Sequence, residues 1–154
     1  MSITITTKIN GHSVTATADA STSLLEFLRD ILEMKGSKLC CNTGECGACT
    51  VIYNGKPINS CVTMAADAND AEITTIEGIA EGDKLHPVQQ AFIDTGAVQC
   101  GYCTPGFIMS VKALFDRTKN PTTQDIEEAI SGNICRCTGY NKIVDAIQLA
   151  AQKL

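Results

Sequence analysis

Tryptophan is absent from this chain and aromatic residues make up only 5% of it, so its core rests on Ile, Leu, Val and Ala instead of large rings. Basic residues are also short: 12 Lys and Arg against 17 Asp and Glu leave a formal net charge of −5. An acidic surface repels phosphate backbones, and no basic or aromatic-interleaved patch offsets it, so nucleic acid is not an expected partner. No apolar run approaches the roughly 18–20 residues that span a bilayer. The start, Met1-Ser2-Ile3-Thr4-Ile5-Thr6, has neither the basic and apolar regions of a secretory signal nor a twin-arginine motif. These absences lead us to expect a cytoplasmic protein with no membrane span. With 154 residues, 44% of them apolar, the chain has material for one ordinary domain or two small ones.

Cysteine, by contrast, is abundant, at nine residues. A reducing compartment disfavours structural disulfides, and an odd count fits them poorly, so the density points to metal or redox chemistry. The first set is Cys41-x4-Cys46-x2-Cys49, with Cys61 further on. That is the plant-type [2Fe–2S] ligand spacing. Four thiolates must surround two irons while the loop folds closely over the bridging sulfides. Gly44 and Gly47 suit this, because glycine reaches unusual φ/ψ and lets backbone N–H groups approach sulfur. Zinc ribbons more often use two Cys-x2-4-Cys pairs. The second set is Cys100-x2-Cys103 with Cys135-x-Cys137. Its spacing leaves iron–sulfur, tetrahedral zinc and a redox dithiol open. Both pairs stand where helices are expected to begin, and helix N-termini favour thiolates and anionic clusters, so iron–sulfur is the preferred reading. Cys40, the ninth, adjoins Cys41, and adjacent side chains do not easily reach one iron; it is expected to be a small buried hydrophobe.

The pattern between the cysteines changes halfway. Two alternating runs flank Asn10-Gly11, a strong hairpin signal, and Thr22-Ser23 opens a helix carrying Leu24, Leu25, Phe27, Leu28, Ile31 and Leu32 that should end near Gly36. Cys49–Tyr53 reads as a strand, Asn54-Gly55 as a second turn returning through Pro57-Ile58, and Ile73–Ile76 as a further strand. After a linker near Glu77–Gly82 come four helices: Pro87 to about Thr95, one from Thr104-Pro105, one capped by Thr122 or Thr123, and one from about Asn141 to Gln152. The fold class is therefore α+β, with a small sheet on one helix at 1–78 followed by a four-helix bundle at 79–154.

Three stretches then act together: Cys41-Asn42-Thr43-Gly44-Glu45-Cys46-Gly47-Ala48-Cys49-Thr50-Val51, Gln99-Cys100-Gly101-Tyr102-Cys103-Thr104-Pro105-Gly106 and Gly132-Asn133-Ile134-Cys135-Arg136-Cys137-Thr138-Gly139-Tyr140. In this order the chain resembles, over essentially its whole length, the iron–sulfur subunit of the molybdenum hydroxylases, the xanthine dehydrogenase / aldehyde oxidase / carbon monoxide dehydrogenase family. The resemblance implies a plant-type ferredoxin-like β-grasp domain and a helical domain, each with one [2Fe–2S] cluster. It implies that Cys41, Cys46, Cys49 and Cys61 hold the first and Cys100, Cys103, Cys135 and Cys137 the second. It further implies that Gln99 and Cys137 contact the pterin of a molybdenum–pterin cofactor in a large partner subunit. It implies as well a medium partner subunit carrying FAD, in a heterotrimer or its dimer. On this resemblance electrons are expected to run from molybdenum through the helical-domain cluster to the ferredoxin-domain cluster and FAD, with no catalytic residue expected in this chain. Cys40 stands where relatives commonly have glycine. The expected substrate is a purine or other N-heterocycle, ahead of aldehydes, aromatic thioesters and carbon monoxide. The alternatives are a free-standing two-cluster ferredoxin-type carrier and a zinc-stabilised scaffold.

Other polar residues draw plainer readings. His86 is expected at a helix entry, His12 in solvent, and Asp116-Arg117 and Glu127-Glu128 on exposed helix faces. Arg136 is read as tuning a cluster or meeting a partner, and Tyr102 and Tyr140 as packing beside the second set.

Overall fold

The computed structural model describes residues 1–154. Strands β1 (Ser2–Ile9) and β2 (His12–Asp19) pair antiparallel across Asn10-Gly11. Both turn residues sit at positive φ, 50° and 84°, as a two-residue hairpin with the right-handed twist of its strands requires. Asn54-Gly55 repeats the device between β3 (Thr50–Tyr53) and β4 (Lys56–Asn59). β5 (Glu72–Thr74) closes a five-stranded sheet in the order β2-β1-β5-β3-β4, parallel to β1 and antiparallel to β3.

The first helix departs from its expected form. Ser23 caps it in a reciprocal capping box with Glu26, as the Thr22-Ser23 start foretold, but α1 is only Leu24–Glu26 and widens into a π-helical turn at Phe27–Ile31. The helix ends at Leu32, short of Gly36. Arg29 donates to the carbonyls of Lys35 (3.0 Å) and Ser37 (2.5 Å), drawing the chain away from the helix axis and toward the cysteine loop. The period-3.6 pattern continued to Leu32, yet Ile31 is exposed. Leu24, Phe27 and Leu28 pack on Ile5, Ile9, Val51 and Ile73 of the sheet.

All strands precede residue 75, and the longer helices follow: α2 (Pro87–Asp94), α3 (Thr104–Arg117), α4 (Thr123–Ile130) and α5 (Asn141–Ala151). Their caps follow the expected chemistry. His86 Nδ1 accepts from Val88 N–H at the head of α2, so this histidine is a helix cap. Thr122 and Asp125 form a capping box on α4. The helices enclose a second apolar cluster around Val88, Phe92, Phe107, Met109, Ile143 and Ile147. Ile52 of β3 belongs to that helical cluster while its neighbour Val51 belongs to the sheet's, because successive strand residues face opposite sides. Strand β3 is thus the common wall of both cores.

Candidate metal centres

The loop at 41–49 folds back on itself through three positive-φ residues, Asn42, Gly44 and Gly47. Two backbone N–H groups, of Thr43 and Cys46, both 3.4 Å away, point at Cys41 Sγ. The Thr43 hydroxyl and these N–H groups lower the Cys41 thiol to about 5. Cys61 enters from a 3₁₀ turn (Ser60–Val62) after β4 and lies against Cys49, both packed on Leu25. Burial, and then the Cys49 thiol, push Cys61 up to about 11, while the Gly44 N–H works the other way. Gly44 therefore brings a backbone donor to sulfur, as its place in the loop suggested.

The second set assembles from three elements. Cys103 is the N-cap of α3, and Cys100 precedes it in the turn that follows α2. Cys135 and Cys137 come from the loop between α4 and α5. Cys137 Sγ lies 3.7 Å from Cys100 Sγ, and Cys103 lies against Cys135. Burial pushes Cys103 up to about 12. Burial also acts on Cys135, but the Thr138 hydroxyl at 3.1 Å and the N–H groups of Thr138 and Cys137, each 3.4 Å away, outweigh it and bring Cys135 down to about 7. Each set thus contains one sulfur surrounded by donors and prepared to carry negative charge.

No three cysteine, histidine or carboxylate side chains meet at a point suited to a single metal ion. Within each set the sulfurs approach as 41 with 46, 49 with 61, 100 with 137 and 103 with 135, and Cys40 also lies against Cys46. Two pairs per set, with N–H donors on the sulfurs, fit a binuclear iron–sulfide group, which takes two thiolates at each iron and gains from hydrogen bonds to sulfur. Gln99 and Cys137 are both exposed, beside Cys100.

Cys40 differs from expectation. It is exposed, not buried, and its thiol lies against Cys46, whose charge and hydrogen bond push it up. The turn that brings the Thr43 and Cys46 N–H groups to Cys41 Sγ leaves its neighbour facing solvent. The two tyrosines also do more than pack. Tyr102 Oη donates to the Leu39 carbonyl at the edge of the first loop, and Tyr140 Oη accepts the Cys135 N–H at 3.0 Å. Tyr140 reaches it from a backbone at φ +70°, a conformation that costs a non-glycine residue about 1–3 kcal/mol, with its ring tilted against Phe107. An aromatic residue after Thr138-Gly139 gave no sequence signal of that bond.

The two cysteine loops touch. Ile134 N–H donates to the Cys46 carbonyl at 2.9 Å, joining the residue before Cys135 to a member of the first set. Asn133 is buried and donates to the Gly47 carbonyl at 3.0 Å. Sequence reasoning assigned neither residue a role, since only the fold brings position 134 to position 46.

Comparison with known proteins bears on the whole chain. A family model described as "2Fe-2S iron-sulfur cluster binding domain" matches residues 4–94, and one described as "[2Fe-2S] binding domain" matches residues 75–148. The nicotinate dehydrogenase small FeS subunit of Eubacterium barkeri is 46% identical over 151 residues, which are 98% of this chain and 96% of that protein. A probable xanthine dehydrogenase subunit of Bacillus subtilis is 46% identical over 136 residues, 88% of this chain and 78% of that protein. The crystal structure of quinoline 2-oxidoreductase from Pseudomonas putida 86 superposes with a TM-score of 0.94 at 35% identity, covering 98% of this chain and 94% of the matched one.

Proposed function

Because the chain belongs to the iron–sulfur subunit family of the molybdenum hydroxylases, we propose that it relays electrons from a molybdenum–pterin cofactor through two [2Fe–2S] clusters to FAD, the two outer cofactors residing in partner subunits. In this reading Cys41, Cys46, Cys49 and Cys61 hold one cluster and Cys100, Cys103, Cys135 and Cys137 the other. The two halves, 1–78 and 79–154, correspond to a β-grasp ferredoxin-like domain and a helical domain. Each cluster, when bound, supplies a one-electron couple.

What this chain's residues contribute is charge stabilisation and proximity. The N–H groups at Cys41 and Cys135 support added negative charge on sulfur in a partly dry setting, which favours the reduced state. The observation that carries the relay is the Ile134 N–H to Cys46 carbonyl bond, which links the two ligand loops directly.

Direction follows from exposure. Cys100 and Cys137 open to the surface together with Gln99, so we place the pterin-binding subunit there. An uncharged groove of about 270 Å³ next to it, lined by Ile76, Leu85, Ile93, Val98 and Pro105 among others, supports a protein partner over a free-standing carrier. The relatives named for nicotinate and xanthine and the structure named for quinoline favour nitrogen heterocycles, while others of similar identity are named for aldehydes; of the two classes we propose an N-heterocycle as the substrate of the complex. No helix is long and apolar enough to cross a membrane, and we place the complex in the cytoplasm.

Iron analysis with low-temperature EPR tests the reading. About four Fe per chain and two distinguishable signals on reduction are expected, and the isolated chain should reduce and reoxidise but hydroxylate nothing. Stoichiometric zinc replacing half the iron would overturn the second site.

A further inference from the structure

The contact between the two cysteine loops is more specific than a shared hydrogen bond. Gly47 and Gly106 meet backbone to backbone. A Cβ on Gly106, in the first turn of α3 just after Cys103, would overlap the Gly47 carbonyl, and one on Gly47 would overlap the Gly132 carbonyl and the Asn133 amide. Asn133 is 4% exposed and every part of its carboxamide is engaged. Its Nδ2 donates to the Gly47 carbonyl at 3.0 Å and to Thr50 Oγ1 at 3.4 Å, and its Oδ1 accepts from Ser110 Oγ at 2.7 Å. Ser110 and Thr50 are themselves buried, on α3 and at the start of β3.

One amide therefore ties together the loop between Cys46 and Cys49, the strand that follows it, the helix that starts at Cys103, and the loop that carries Cys135. Asn133 lies two residues before Cys135 and Gly47 one residue after Cys46, so the carboxamide brackets the Ile134–Cys46 link. Its donor and acceptor ends fit only one orientation, because Nδ2 faces a carbonyl and Oδ1 faces a hydroxyl. A buried network with every member satisfied is rigid and intolerant of losing one partner.

We propose that Asn133 is a positioning residue for electron exchange between the two centres. Its carboxamide fixes the spacing of the two ligand loops and keeps the Ile134–Cys46 hydrogen bond formed. This role rests on the two-cluster reading above and adds to it the residue that sets the clusters' separation.

The test is made on the assembled enzyme, comparing parent with Asn133→Ala and the milder Ser110→Ala. Two readouts are followed: the magnetic splitting between the reduced clusters in low-temperature EPR, and amide hydrogen exchange of the segment containing Ile134. Asn133→Ala should keep about four Fe per chain and both signals, show a diminished splitting, and exchange roughly tenfold faster at Ile134, the scale of one or two lost hydrogen bonds. Ser110→Ala should shift both readouts the same way by less. Unchanged splitting and exchange in an iron-replete Asn133→Ala enzyme would overturn the proposal while leaving the relay reading intact. Loss of iron in both variants would also overturn it, by making the residue one of folding alone. Absence of paired clusters in the parent would instead overturn the relay reading itself, and the role of Asn133 with it.

Discussion

At Cys41 two backbone N–H groups and a threonine hydroxyl converge on one sulfur, whereas Cys40 beside it has none of these donors and faces solvent next to Cys46. The residues are identical and the backbone alone separates them, through the positive φ of Asn42 and Gly44. Replacing Cys40 by Ser should leave iron content and both EPR signals unchanged, while Cys41→Ser should remove one signal and about half the iron. The metal-free chain gives a second check. With Cys41 lowered to about 5 and Cys61 and Cys103 raised to about 11 and 12, only the first is a thiolate at mildly acidic pH. Alkylation followed by peptide mapping at pH 6 should therefore modify Cys41 well ahead of Cys61 and Cys103. A lowered pKa means the reactive anion persists downward in pH, so the Cys41 rate should fall only as pH drops through about 5. Thr43→Val, which removes the largest lowering influence, should move that midpoint up.

At the scale of elements, the ends of helices carry the chemistry while their middles carry the packing. α3 begins at Cys103 with a glycine in its first turn because another loop's carbonyl occupies the space a Cβ would fill. Gly106→Ala should destabilise the protein by about 1–3 kcal/mol in denaturant unfolding, as an overpacked contact does, and lower iron incorporation as well. Thr122→Ala at α4 is the control: loss of its cap should cost about 1 kcal/mol with iron content intact, since no cysteine lies on that helix. Legibility also varied by element. The hairpins were readable because Asn-Gly requires one turn geometry. The π-helical turn at Phe27–Ile31 was not, because its apolar spacing matches an ordinary helix and the chain's departure is enforced by the Arg29 bonds to Lys35 and Ser37.

For the whole molecule, the exposed face around Ile93 and Val98 adjoins Cys100 and Cys137, and all of it is surface in the lone chain. Ile93→Asp combined with Val98→Asp should weaken co-purification with the larger chains, read by gel filtration or pull-down, while iron content and Tm stay near those of the parent. Unchanged association would move the partner surface elsewhere. The cost of this arrangement is an apolar surface on an otherwise acidic chain, which is expected of a subunit and unhelpful to a diffusing carrier.

The sequence by itself determined which residue types were available and in what local geometry: nine thiols, their spacings, the glycines that let the first loop turn, the hairpins and the helix caps. Each of these depends on neighbours within a few positions, where φ/ψ preference and side-chain reach decide the outcome. Tertiary structure alone decided that Ile134 and Asn133 meet Cys46 and Gly47 across more than 80 positions. Those meetings follow from the sheet and the helices sharing β3 as a wall, and no local preference encodes such a separation.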